Sequence, residues 1–156
     1  GHITVEENGA PCNCGRHGCL ETVSSATGMV RLAKELLAKG KAPILQKMQE
    51  QVKEFTTKEI FEAALAGDKD IQGLIEHAMD VLGFALSNLA IALNPSKIII
   101  GGGVSKAGEQ VLMPLKQAFK KYTLPRSHDA CEIVIAELGN DAGVYGGAYL
   151  VLQNVE

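Results

Sequence analysis

Asn94-Pro95-Ser96-Lys97-Ile98-Ile99-Ile100-Gly101-Gly102-Gly103 is the stretch that decides the fold class of this chain. A proline disfavours helical backbone in the residue before it, so Asn94-Pro95 ends the helix that arrives from the amino-terminal side. Lys97-Ile98-Ile99-Ile100 is a β-branched run and reads as a buried parallel strand. The three glycines then turn the chain into a helix from about Glu109 to Lys121. Upstream, the helix from about Asp68 to Leu93 is apolar nearly all round over Val81–Leu93. Such a helix is buried on several sides, centrally or partly in a subunit interface. Downstream, Glu132-Ile133-Val134-Ile135 repeats the strand pattern and Asp141 to Leu152 forms a last helix, Asp141 serving as its N-cap. Alternation of strand and helix predicts an α/β architecture.

Nearer the amino terminus, apolar residues at Val23, Ala26, Val30, Ala33 and Leu37 predict a helix from Glu21 to about Lys39, closed by Gly40. Lys41 to Phe55 is polar and predicts a short helix in a surface excursion. Thr56-Thr57-Lys58-Glu59 has the form of a capping box, in which Thr56 and Glu59 satisfy otherwise unpaired amides at a helix start. Ala142, Gly143, Gly146, Gly147 and Ala148 give the last helix a small surface suited to close helix approach.

With 156 residues, of which 46% are hydrophobic and only 4% aromatic, the chain predicts one domain, 1–156, with an aliphatic core. No uninterrupted apolar run reaches the roughly 18 residues of a membrane span. A net charge of −3 argues against a nucleic-acid surface, which needs clustered Lys and Arg. Lys116, Lys120 and Lys121 recur at helical spacing and read as a solvated face. Cys131 reads as a small buried residue. No targeting segment is legible, which makes the cytoplasm the default location.

Chemistry is concentrated in the first twenty-one residues. Cys12-x-Cys14-x4-Cys19 supplies three thiolates, and His2 or His17 an imidazole. Three sulfurs and one nitrogen suit a closed tetrahedral zinc site. Gly15 and Gly18 can take the positive φ that folds so short a loop, residues 9–19, back on one ion. Disulfides fit poorly, since Cys12 and Cys14 are too close to pair easily. His2 is the preferred fourth ligand, because Ile3-Thr4-Val5 reads as a strand and would hold it more rigidly than a loop tip holds His17. Glu21 then sits in the first turn of a helix, where a carboxylate favours the helix dipole. It could equally accept two hydroxyl hydrogen bonds from a sugar, held in place by the metal loop. Gly101-Gly102-Gly103 after a strand could let backbone approach a nucleotide, but it is neither a dinucleotide fingerprint nor a Walker A loop.

The run Gly1-His2-x6-Gly9-x2-Cys12-x-Cys14-Gly15-x2-Gly18-Cys19-x-Glu21 resembles the zinc signature of the ROK family (repressors, open reading frames and sugar kinases). Thr22-Val23-Ser24-Ser25-Ala26-Thr27-Gly28 is most similar to its bacterial ATP-dependent glucokinases. The likeness continues through Asn94–Ser105 and Asp141–Ala148, and it makes the leading Gly1-His2 native sequence. It implies an actin-like ATPase (ribonuclease H-like) fold and a structural zinc held by His2, Cys12, Cys14 and Cys19. It implies that Glu21 and the second nitrogen of His2 face the sugar, and that Gly101, Gly102 and Gly103, with Ala26 and Gly28, border the nucleotide. The phosphate loop and the Asn-Asp pair carrying the general base of such kinases do not occur here. The resemblance therefore implies the carboxy-terminal half of a homo-oligomeric kinase that moves the γ-phosphoryl of MgATP to glucose, with no catalytic residue in this chain. Kinases for N-acetylmannosamine, fructose or allose, sugar-sensing ROK repressors and a zinc-stabilised interaction domain are the competing readings.

Overall fold

The computed structural model describes residues 1–50, 52 and 54–153. Its elements run α1 (Glu21–Ser24), α2 (Ala26–Ala38), α3 (Pro43–Gln49), α4 (Thr57–Leu65), α5 (Lys69–Leu93), β1 (Lys97–Ile100), a 3-10 turn (Gly103–Ala107), α6 (Glu109–Tyr122), α7 (Pro125–Ala130), β2 (Glu132–Ile135), a second 3-10 turn (Gly139–Asp141) and α8 (Ala142–Gln153). The chain is mostly helical, with β1 and β2 paired in parallel, Lys97 opposite Glu132 and Ile100 opposite Ile135. Parallel pairing needs a long crossover, and α6 with α7 supplies it.

α5 organises the rest. The side chain of Asp68 caps it by accepting from Ile71 N, while its other oxygen accepts from Ile44 N at 2.9 Å and Leu45 N at 3.1 Å. One carboxylate, 2% exposed, thus closes the amino-terminal ends of α3 and α5 together, which satisfies a charge that burial would otherwise penalise heavily. Asn94 ends α5 with φ 47, a left-handed conformation that asparagine tolerates. Met29, Leu45, Ile60, Ile71, Met79, Val111, Leu115 and Phe119 fill the aliphatic core between α2, α4, α5 and α6. Each such side chain stabilises the fold by about 1.5–3 kcal/mol relative to an exposed one. The capping box forms as expected: Glu59 accepts from Thr56 N at 2.7 Å, and Thr56 Oγ1 accepts from Lys58 N at 3.2 Å.

Several expectations need correction. The helix predicted over 21–39 is broken at Ser25, whose extended backbone and side-chain bond to Gly28 N start a new helix. The 41–55 excursion holds α3, and residues 51 and 53 lie outside the described residues, as do 154–156 of the predicted domain. β1 is not buried: Ile99 is 64% exposed, because β2 is its only neighbour in the sheet among the described residues. In the carboxy-terminal half of α5, Phe84, Leu89, Ile91 and Leu93 are exposed, while Ala85, Ser87 and Ala90 are buried. Among the described residues α5 does have the length and apolar content of a membrane-spanning helix. Its use as a core helix and the Asp80–Tyr122 and Asp80–Lys121 bonds at its middle explain that composition. Lys121 is accordingly paired, not merely solvated. Among the described residues nothing lies against the small face of α8: a Cβ built on Gly143, Gly146 or Gly147 meets no atom within 4 Å. Asp141 belongs to the 3-10 turn that runs into α8.

Candidate metal centre and adjoining clefts

Residues 1–20 contain almost no regular structure. Two isolated antiparallel bridges, Thr4 with Cys19 and Pro11 with His17, fold the loop on itself. Ile3-Thr4-Val5 is therefore a single bridge and not the expected strand, yet that bridge is enough to bring His2 beside Cys19. Gly15 and Gly18 take φ of 86° and 66°, as the spacing predicts. At Gly18 no other residue fits, because a Cβ would stand 1.6 Å from the carbonyl oxygen of Glu6. That close approach carries the bonds from Val5 N and Glu6 N to the Gly18 carbonyl.

The folded loop gathers His2, Cys12, Cys14 and Cys19, whose donor atoms all lie within 4.8 Å of one another. His2 Nδ1 is 3.5 Å from Cys12 Sγ, and the sulfurs of Cys14 and Cys19 are 3.6 Å apart. A tetrahedral zinc, with sulfur at about 2.3 Å and nitrogen at about 2.0 Å, spaces its ligands by about 3.5–3.8 Å. The donor set and these two spacings therefore fit zinc, while a disulfide would need sulfurs at about 2.05 Å. His17 stands outside the cluster, on the exposed side of the Pro11–His17 bridge.

The thiols are unlike. Cys14 is drawn down to about 6, first by a backbone hydrogen bond at Arg16 and then by the Arg16 guanidinium. Burial pushes Cys19 up to about 11. A zinc ion held here would meet Cys14 as the readier thiolate and would have to displace the proton of Cys19, so loading would release acid. Arg16 also donates to the carbonyl of His2, tying the loop tip to the segment that carries His2.

Glu21 opens α1 immediately after the loop. Its Oε2 lies 3.3 Å from His2 Nε2. The second nitrogen of His2 thus engages a carboxylate, which fixes the ring so that Nδ1 faces the thiolates. The two side chains expected at a sugar are joined to each other, and the ring orients the acid. A cleft of about 300 Å³ lies beside them, lined by Pro11, Cys12, Asn13, Glu21, Thr22, Thr27, Gly28 and Arg31.

Two larger clefts follow, the first sharing Thr27 and Arg31 with it. One, of about 880 Å³, is lined by Ala26, Val30, Lys34, Glu35, Glu54, Phe55 and Thr57 among others. The other, of about 520 Å³, shares Thr56 and Thr57 with it and adds Lys58, Gly103, Lys106 and Gln110. Ala26 and Gly103 do come together, the Ala26 Cβ lying 3.7 Å from a Cβ built on Gly103. Gly102 supplies the turn with φ 86, and Gly101 packs beside Ala136. Gly28 lines the Glu21 cleft instead. Lys34, Phe55, Thr57, Lys58 and Lys106 escaped the sequence reading, since they come from four segments that only the tertiary fold assembles.

Several carboxylates outside the metal loop are engaged. Asp68 and Asp70 accept from backbone amides and Asp80 from Tyr122 and Lys121. Glu35 pairs with Arg31, Glu54 with Lys34 and Glu62 with Lys58. Such pairing suits binding and support more than proton abstraction.

A sequence profile of the ROK family matches residues 1–154. A glucokinase of Halalkalibacterium halodurans is 54% identical over 154 residues, covering 98% of this chain and 47% of that protein. A glucokinase of Thermotoga maritima is 35% identical over 155 residues, covering 99% and 49%. Among solved structures, a ROK family glucokinase from Streptomyces griseus in complex with glucose and AMPPNP superposes with a TM-score of 0.85 at 33% identity, covering 99% of this chain and 51% of that one. The chain spans about half the length of the relatives it matches.

Proposed function

From the premise that this chain belongs to the ROK family, we propose that it is the sugar- and nucleotide-binding, carboxy-terminal half of an ATP-dependent glucokinase. Its helices and small parallel sheet are read as half of an actin-like ATPase (ribonuclease H-like) fold, in a cytoplasmic, homo-oligomeric enzyme. The observation that carries the reading is the contact of His2 Nε2 with Glu21 at 3.3 Å, behind a cluster that fits zinc. A zinc held there supplies no chemistry to the reaction, since four protein ligands leave no open position. It fixes the His2 ring, and the ring fixes Glu21.

In this reading Glu21 accepts hydrogen bonds from two neighbouring hydroxyls of glucose, with His2 alongside. α1 is a single turn of four residues, too short to sum much helix dipole, which favours a ligand for Glu21 over a helix-start role. The nucleotide lies in the larger clefts, against Ala26, Phe55 and the Gly101-Gly102-Gly103 turn, with Lys58 and Lys106 offering cations. The glucokinase of known structure that this chain resembles holds glucose and AMPPNP together, in support of two adjoining sites. The general base, the main phosphate cradle and the Mg²⁺ ligands belong to the other half of the kinase, so this chain alone does not phosphorylate glucose.

Calorimetric titration of glucose and of AMPPNP into the full-length, zinc-loaded kinase and its Glu21→Gln variant tests the assignment. Hydrogen bonds to a charged group contribute about 1.5–3 kcal/mol, so glucose affinity falls about ten- to hundredfold. Nucleotide affinity stays as it was. An unchanged glucose dissociation constant would return Glu21 to the helix start. N-acetylmannosamine, fructose and allose titrated in parallel rank the sugars.

A further inference from the structure

α1 is too short to hold its own shape, because one helical turn is an unfavourable nucleus. It is held from outside. The Ser25 hydroxyl donates to the Glu21 carbonyl at 2.6 Å, Glu21 N donates to Gly1 O at 2.8 Å, and Ser24 Oγ donates to Ala78 O of α5 at 2.8 Å. From α2, Arg31 Nη2 donates to the Thr22 carbonyl at 2.9 Å. There is no slack between the two helices: a Cβ on Gly28 would come within 2.6 Å of the Glu21 carbonyl oxygen and 2.7 Å of that of Thr22. Arg31 is the clamp with a second face. It lines the Glu21 cleft and also the cleft of about 880 Å³, where its Nη1 pairs with Glu35. Its Nε is closed off from solvent without an acceptor, so the guanidinium is oriented by its two ends alone. Thr27 also lines both clefts, but it reaches the Glu21 turn only through the hydroxyl of Ser25, 2.9 Å away.

We propose that Arg31 is a positioning residue that couples the two clefts, so that a nucleotide in the larger one tightens the hold of Glu21 on sugar in the smaller. The proposal rests on the kinase reading above. An occupant beside Glu35 displaces water from the Arg31–Glu35 pair, and in the lower local dielectric that pair and the bond to the Thr22 carbonyl strengthen together. The turn that presents Glu21 then loses freedom before sugar arrives. By linkage the effect is reciprocal: sugar tightens nucleotide by the same factor.

The test is the glucose dissociation constant of the full-length, zinc-loaded kinase, measured by calorimetry with and without saturating AMPPNP. In the wild type, AMPPNP tightens glucose by at least about fivefold, the low end of ordinary site coupling. Arg31→Lys keeps the cation but cannot reach Thr22 and Glu35 together, and the factor falls to near one while each ligand alone still binds. A merely structural arginine gives the opposite pattern, a lower melting temperature with the factor retained. Glu35→Gln leaves the Thr22 bond in place and provides the measurement if Arg31→Lys does not fold; its coupling is smaller than that of the wild type. No coupling in the wild type, or full coupling in whichever variant folds, overturns this proposal while leaving the kinase reading standing. A wild type that binds neither ligand overturns the kinase reading, and this proposal with it.

Discussion

Cys19 is the one buried side chain within residues 1–20, whereas α5 alone buries Ile71, Leu74, Ile75, Ala78 and Met79. The loop has two bridge pairs and a set of turns; the bundle of α2, α4, α5 and α6 has a continuous aliphatic core. Apolar burial orders the bundle at about 25 cal/mol per Å² and works under almost any solution condition. The loop has no such area to draw on. Its shape rests on backbone bonds and turns and, in the zinc-bound form proposed above, on four donors converging on one ion, which would make it respond to metal supply, thiol oxidation state and proton concentration. A chain can therefore carry a tolerant scaffold and a conditional site side by side, with Glu21 at the junction.

Crossed substitutions break this comparison most sharply. Leu115→Ala in the bundle costs about 2–5 kcal/mol of stability, the range for deleting a buried leucine side chain. Chemical denaturation reads that loss, and elemental analysis finds the zinc content unchanged. Cys19→Ala does the reverse: zinc falls from one per chain to near none, while the helical circular dichroism of the bundle persists. Loss of zinc in the leucine variant, or a helical collapse in the cysteine variant, would show that loop and bundle fold as one unit.

A smaller effect sharpens the contrast within the bundle. The Glu59 carboxyl is held below its ordinary 4.5, chiefly by the backbone N–H of Thr56 in the capping box. A carboxylate with a depressed folded value contributes stability that is fully present above its unfolded value and lost as pH falls through the folded one. Glu59→Gln therefore destabilises the protein by about 0.5–1 kcal/mol at pH 7, the low end for a partly exposed cap. The gap to wild type closes as pH drops below the ordinary carboxyl range. Melting curves at pH 7 and pH 3 check it, and a gap of equal size at both would remove the carboxylate from the cap.

What could be read in advance follows the same division. The Cys-x-Cys-x4-Cys spacing and the two turn glycines define the loop because metal ligation and positive φ are local demands. Asn94-Pro95 and the Thr56–Glu59 box were legible for the same reason, each being a helix end that a few neighbours complete. Ser25 was missed although its signal was present: a serine before a helical run is a helix start, and Ser24-Ser25 interrupts the apolar period. The openness of Ile99 and of α8 was not legible, since β-branched and small residues announce a packing surface without saying what covers it. Arg31 reads from sequence as half of an exposed i,i+4 pair with Glu35. Its bond to Thr22 exists only because Gly28 lets α2 lie against α1.

The proposed sugar site stands or falls with a zinc-ordered loop beneath it. The direct measurement is glucose affinity against zinc occupancy, by calorimetry on the full-length protein as isolated, after chelation, and after zinc is restored. One zinc per chain is expected, with loss of measurable glucose binding on chelation, helical content retained, and recovery on reloading. Glucose binding that survives complete removal of zinc would contradict it.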